Sequence, residues 1–189
     1  SSDDDAFNFL KQYRDEIFGE VPMVFCGVNW IRPVRFRGIR QCTGVNEDSD
    51  IAANLDLMLR LHPDTRDIYV VIDATTTGQA TYAKLKEIEP NYRKRVRIHS
   101  LYDPEIGELL KQLASLDERS LVLTTVFQRD RSGRFFEYKD SCRLISNSSR
   151  VPVYGLWDFN LGSGIVGGSL CSGHSQGLMA GKMALRILK

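Results

Sequence analysis

Short runs of consecutive apolar residues, separated by stretches of helical periodicity, limit most strongly how this chain can fold. The runs fall at residues 21–28, 68–72, 96–98, 121–126 and 151–154, and the run at 68–72 is rich in β-branched residues. Strands that are apolar on every residue, rather than on alternate ones, are buried on both faces. Between them apolar residues recur three and four positions apart. Ala6, Leu10, Tyr13 and Ile17 form one such face, Ile51, Leu55, Met58 and Leu59 a second, and Ile106, Leu109, Leu110 and Leu113 a third. Capping residues and acids at 1–5 suit a helix start, and Asp50 suits another. Pro63 stops the second helix. A turn over 73–78 leads into a helix ended by Pro90, and Pro104 opens the next. A helix is predicted over 136–146, a Gly-rich strand over 165–170 and a last helix over 175–188. Strands and helices in alternation define an α/β chain with Rossmann-like layers, a mostly parallel sheet covered by helices on both faces.

The segment 29–42 breaks this rhythm. It is irregular and basic (Arg32, Arg35, Arg37, Arg40), with Pro33 and Gly38, and reads as a hinge connector. It divides the chain into a partial first lobe over 1–40, connector included, and a nearly whole second α/β lobe over 41–189. One helix and one strand do not make an independently stable lobe. The natural protein is therefore expected to begin upstream, and the exposed strand edge permits pairing with another chain, a homodimer included.

Composition narrows the partners. Over 189 residues the net charge is +1, so no global field points to nucleic acid or acidic lipid, and no nucleic-acid partner is expected. No apolar run is long enough to span a bilayer, so this stretch is not expected to insert in a membrane. The three histidines, His62, His99 and His174, are scattered, and the cysteines form no C-x-x-C pair. No metal and no cofactor are expected. Cys26, Cys42, Cys142 and Cys171 read as small buried apolar residues, with a disulfide left open.

Parallel sheets bind ligands in the crevice at the carboxyl ends of their strands. Here those ends carry Asn29 and Trp30, the segment 73–78, Phe127 with Arg129-Asp130-Arg131, and Trp157 with Asp158. Free N–H groups at 73–78, with the Thr75, Thr76 and Thr77 hydroxyls, can hold an anion or a carboxylate, and Asp73 can instead hold an amine, although plain helix capping explains them equally well. Trp30, Phe127 and Trp157 can sandwich a planar ligand, with Asn29 and Asp158 giving direction, or plug hinge and core. Arg129 to Arg131 can pair a ligand carboxylate or form a solvated turn, and Arg93-Lys94-Arg95 reads as a solvated linker.

Two sharper motifs fail on context. Gly173-His174-Ser175-Gln176-Gly177 matches the hydrolase nucleophile elbow G-x-S-x-G, but no Asp, Glu or His follows it to complete a triad in that order. The alternative is that small residues let the last helix start close against the sheet, with His174 or Ser175 as cap. Gly162-x-Gly164-x-x-Gly167 matches the dinucleotide fingerprint, but no helix start is predicted after it and no acidic residue lies about 20 positions on.

Taken in order, Val24-Phe25-Cys26-Gly27-Val28-Asn29, then Leu61-His62-Pro63 ahead of Ile68-Tyr69-Val70-Val71-Ile72-Asp73, then Pro152-Val153-Tyr154-Gly155-Leu156-Trp157-Asp158 and Gly164-Ile165-Val166-Gly167-Gly168 resemble the ABC-transporter substrate-binding-protein-like family. The resemblance is greatest to the version that serves as the extracytoplasmic sensor of bacterial histidine kinases, and it runs along essentially the whole chain. It implies a type I periplasmic-binding-protein fold, with two lobes joined by a hinge and closing on a small ligand. It also implies strands before Ser1, a membrane helix and signalling domains after Lys189, and a periplasmic location. The domain itself is then a binding module rather than an enzyme, and its ligand an amino acid, an organic acid or a heterocycle. A transporter-delivery protein, a hydrolase using Ser175 and a pure dimerisation module are the competing classes.

Overall fold

The structure is a computed structural model that describes residues 3–29, 38–47 and 49–189. Trp30 and most of the expected connector lie outside the described residues. The chain is α/β and separates into two compact units, Ser49–Cys171 and Ser1–Asp48 with Ser172–Lys189. The sequence pattern alone keeps 41–189 together. Contacts instead group residues 42–47 and the last helix with the first strand.

The larger unit is built on four parallel strands, β3 (Asp67–Ile72), β4 (Arg97–Tyr102), β5 (Ser120–Thr124) and β6 (Val153–Gly155), in the order β4-β3-β5-β6. Helices α2 (Ile51–Leu61), α3 (Thr76–Ile88), α4 (Ile106–Ala114) and α5 (Tyr138–Ser148) alternate with them. Asp50 caps α2 as expected, accepting from the Ala53 N–H at 2.8 Å, and Ile51, Leu55, Met58 and Leu59 form its buried face. Val71, Val122 and Val153 point to one side of the sheet and pack with Ile106, Leu109 and Leu113 of α4 and Ile145 of α5. The intervening residues Ile68, Val70, Ile72, Leu121 and Leu123 are just as buried. Two dry faces explain why these strands are apolar at every position. Helix α5 begins slightly later than predicted, at Tyr138, with Glu137 before it in an extended conformation.

The expected strand at 165–170 does not form. The segment makes only single bridges, Tyr154 to Gly167 and, just beyond it, Trp157 to Cys171. The side chain of Asn54, fully buried on α2, takes the place of a ladder partner. Its amide donates to Ser169 O at 2.9 Å, and its carbonyl accepts from Ser169 N at 2.9 Å. A Cβ at Gly168 would run into Gly155 O and the Asn54 carbonyl oxygen, so glycine is what permits this close approach.

The smaller unit pairs β1 (Met23–Asn29) and β2 (Cys42–Glu47) in parallel and packs α1 (Asp4–Phe18) and α6 (Gly173–Ile187) against them. Its apolar cluster is Phe7, Met23, Phe25 and Val28. Periodicity missed β2, whose sequence C-T-G-V-N-E has little apolar content. Gly44 makes the pairing feasible, because a Cβ there would strike the Phe25 carbonyl and ring. The β1 register slips between Phe25 and Val28, where Gly27 has φ +64°, and the displaced Gly27 N–H donates to the Gln176 side chain of α6 at 2.8 Å.

On the outer edge of the sheet, Arg97 grips Asp67 with two hydrogen bonds of 2.8 and 2.7 Å, and His99 Nε2 sits 2.6 Å from the same carboxylate. The Arg97 hydrogen bond, opposed by burial and reinforced by His99, holds the Asp67 carboxyl down to about 2. A folded-state value below the unfolded one gives stability that is full above the ordinary carboxylate range and is lost as pH falls through about 2. Urea denaturation from pH 5 down to pH 2 should therefore show a steeper loss for the wild type than for Asp67→Asn, and identical acid limbs would disprove the linkage.

Replacing Asn54 with Ala leaves the Ser169 N–H and C=O without a partner. Ser169 itself is exposed, so water can take up part of what is lost, and we expect a loss of about 1–3 kcal/mol in stability, read by chemical denaturation, from two hydrogen bonds at about 0.5–1.5 kcal/mol each.

Candidate ligand-binding cleft

In-register parallel pairing brings the carboxyl ends of β3, β4 and β5 level: Ile72 lies beside Tyr102, and Val71 beside Thr124. The segments that leave these strands therefore meet at one edge of the larger unit. They line a cleft of about 260 Å³ formed by Ala74 and Thr75 after β3, Asp103 after β4, and Arg129, Asp130, Arg131 and Gly133 after β5.

Two buried aspartates build its walls. Asp73 is fully buried; Oδ1 accepts from Thr75 N at 3.1 Å and Thr75 Oγ1 at 2.5 Å, and Oδ2 accepts from Gln128 N at 2.8 Å. One carboxylate thus joins the β3 exit to the β5 exit. Burial pushes the Asp73 carboxyl up, opposed by the hydrogen bonds from Thr75 and from the Gln128 and Arg129 amides. Thr75 does double duty, since its Oγ1 also accepts from Gly78 N at 3.2 Å as the cap of α3. A Cβ at Gly78 would collide with Asp73, which fixes glycine there.

Asp130 does the same for the far wall. Its Oδ1 accepts from Ser132 Oγ at 2.6 Å and Arg134 N at 3.0 Å, and its Oδ2 from Ile106 N at 3.3 Å, at the start of α4. Burial works to raise this carboxyl, but the hydrogen bonds outweigh it and the net shift is downward. The turn closes through Gly133 at φ +90°. Asp130 therefore pairs with main chain and Ser132 rather than with its arginine neighbours. Arg131 reaches Glu108 at 2.8 Å, an exposed pair of small energetic weight. Arg129 is exposed on the cleft and has no acidic partner among the described residues.

Asp103 faces this basic wall from β4. Its φ is +51°, in the left-handed region, and its N–H donates to Ile72 O at 2.8 Å. A non-glycine residue held there just before Pro104 is strained, a cost that proteins concentrate at functional positions. The cleft thus offers a guanidinium, a carboxylate and the Thr75 segment at the start of α3 around a small volume. That arrangement suits a solute with one anionic and one cationic or hydroxylic end.

The structure distributes the sequence-predicted residues unevenly. Asp73 and Thr75 stand at the cleft, Asp73 as a buried organiser and Thr75 as lining. Thr77 is half-buried in the first turn of α3, with its carbonyl accepting from Thr81 Oγ1. Phe127 is 1% exposed and packs on Phe136 within the core, the plug reading rather than a ligand platform. Trp157 is 3% exposed, with its ring stacked 6.0 Å from Phe159, and Asp158, half-buried, starts a 3-10 turn and donates its N–H to Cys171 O. Neither lines the cleft. Asn29, in the smaller unit, is buried and its side-chain amide donates to Asp4 at 2.8 Å. Trp30 lies outside the described residues. Sequence reasoning missed Asp103, because the strand before it runs on to Tyr102 rather than ending at Ile98; an aspartate directly before the Pro104 that opens the next helix was the available signal.

Neither sharper motif gains a supporting context. The G-x-S-x-G residues form the first turn of α6, capped by Ser172, which accepts from Ser175 N at 3.3 Å; His174 and Ser175 are not the cap. The helix does start against the paired strands β1 and β2, but its glycines are not what allows it, because a Cβ at Gly173 or Gly177 would meet nothing within 4 Å. Gly162 and Gly164 lie in turns with φ +78° and +103°, leading to a bridge and not to a helix. Among the described residues no group of His, Cys, Asp and Glu could hold a metal ion, and no helix is long and apolar enough to cross a membrane. No family model matches the chain, and neither a curated protein nor a solved structure matches it.

Thr75→Val removes both the donor to Asp73 and the cap of α3. Stability should fall by about 1–3 kcal/mol in urea denaturation at neutral pH. Because the lost hydroxyl serves the charged carboxylate, the deficit should shrink as pH is lowered through the carboxylate range; a pH-independent deficit would contradict this role.

Proposed function

We propose that this chain is a small-solute-binding module of the type I periplasmic-binding-protein class, acting as the extracytoplasmic sensor of a bacterial membrane signalling receptor, a two-component histidine kinase by resemblance. The observation that carries the binding reading is the cleft at the level carboxyl ends of β3, β4 and β5, with Arg129 exposed on one side and Asp103 held at positive φ on another. Its main chain is fixed by buried hydrogen-bonded carboxylates, so the ordering that a ligand imposes falls mainly on the exposed Arg129 side chain. The ligand class is an amino acid or a hydroxylated organic acid: its carboxylate pairs with Arg129, and its amine or hydroxyl faces Asp103 and Thr75. The receptor role and the periplasmic setting rest on the resemblance of the motif strings alone.

A thermal-shift screen of amino acids and small organic acids tests the reading. At least one should raise the melting temperature in a concentration-dependent way. Arg129→Gln should then weaken its binding by about tenfold or more, as loss of a charge-assisted pair implies. No stabilising solute, or equal affinity in Arg129→Gln, would overturn the assignment of this cleft.

A further inference from the structure

The opposite, amino-terminal edge of the same sheet holds a second charged feature that the solute-binding reading does not use. Thr65, Arg66, Arg93, Lys94, Arg95, Val96 and Arg97 line an open basin of about 390 Å³. Five of the seven are cations, in a chain whose net charge is only +1. The basin is held in place by main chain: Arg66 N donates to Arg119 O at 2.8 Å, Arg97 N to Arg66 O at 2.9 Å, and Arg95 N and Val96 N to Tyr92 O at 2.8 and 3.0 Å. Two of the cations are already matched, Arg95 by Asp56 at 2.8 Å and Arg97 by Asp67 at 2.7 Å. Arg66, Arg93 and Lys94 are exposed and have no acidic partner among the described residues.

We infer that this basin is a second binding site, for a soluble oligophosphate-type anion. Three unmatched cations around one hollow repel each other, and a multiply charged anion relieves that repulsion by contacting them together. The lining argues against other polyanions. Val96 and Thr65 are buried, and among the described residues no exposed aromatic or apolar side chain lines the basin. It therefore has neither a stacking platform for nucleobases nor an apolar wedge for a bilayer. Its volume lies within the roughly 300–1,000 Å³ of small-molecule sites. The cations are solvent-facing, so binding should weaken steeply with salt, whose screening length is about 8 Å at physiological strength.

Calorimetric titration of the whole chain with sodium tripolyphosphate at low ionic strength tests this. Tripolyphosphate should bind more tightly than orthophosphate. The double substitution R93Q/K94Q should weaken it by about tenfold or more. Arg66→Gln, a second route should the double variant fold poorly, should weaken it as well. Arg129→Gln, at the carboxyl-end cleft, should leave it unchanged, which separates failure of this site from failure of the solute site. Absence of tripolyphosphate binding, affinity unchanged in R93Q/K94Q or Arg66→Gln, or loss of affinity in Arg129→Gln would each overturn the inference. Co-sedimentation with phosphatidylglycerol vesicles that tripolyphosphate does not displace would also overturn it, in favour of a membrane surface.

Discussion

Asp73 is an aspartate that the protein keeps at a cost. Its carboxylate is fully buried at the end of β3, where loss of water disfavours the charge and pushes its pKa up. A folded-state value above the unfolded one means that this ionisation subtracts from stability as pH rises through it. What the charge supplies is geometric. Its oxygens accept from the start of α3 and from the loop after β5. Both segments lie beyond the main-chain bond from Asp73 N to Val126 O, where the ladder between the two strands runs out. The cleft depends on that join, because Thr75 on one side and Arg129 on the other are positioned by the segments that Asp73 holds.

Asp130 repeats the device across the cleft, with a different balance. There the hydrogen bonds from Ser132, Arg134 and Ile106 outweigh burial, and the carboxylate is the favoured form. The pair illustrates how a parallel sheet can carry a rigid site on loops. The strands level the loop origins, and buried carboxylates, not further strands, set the loops' course. Charge at the other end of the sheet is arranged differently. Arg66, Arg93 and Lys94 are exposed and have no acidic partner among the described residues, so that edge is a field rather than a pre-formed hydrogen-bonding cradle.

Much of this was legible in the sequence, and the failures have physical causes. β3 and β5 were readable because burial on both faces demands unbroken apolar runs, and α2 and α4 because one buried face leaves a helical period. β2 was not, because its pairing relies on Gly44 fitting under Phe25 rather than on apolar content. The segment 165–170 looked like a strand, but its glycines let the Asn54 side chain come close and take over the hydrogen bonds that a ladder would make. At the cleft, topology located the ends of β3 and β5 but not that of β4, which runs on to Tyr102 rather than stopping at Ile98. The aromatic residues were readable either as platforms or as plugs of hinge and core, and Phe127 and Trp157 bury their rings, as plugs do. Arg129 was readable only as one of three adjacent charges. Its availability follows from Asp130 turning inward to the main chain and Arg131 turning to Glu108, which no spacing rule reveals.

Whether the cleft is a pre-formed solute site is tested most directly by residue-resolved amide NMR. Titration with a stabilising amino acid or organic acid should shift the amides of Ala74, Thr75, Asp103 and Arg129 through Gly133 in a saturable way, with one common dissociation constant. Shifts that gather elsewhere on the larger unit, with those amides unmoved at saturation, would contradict it.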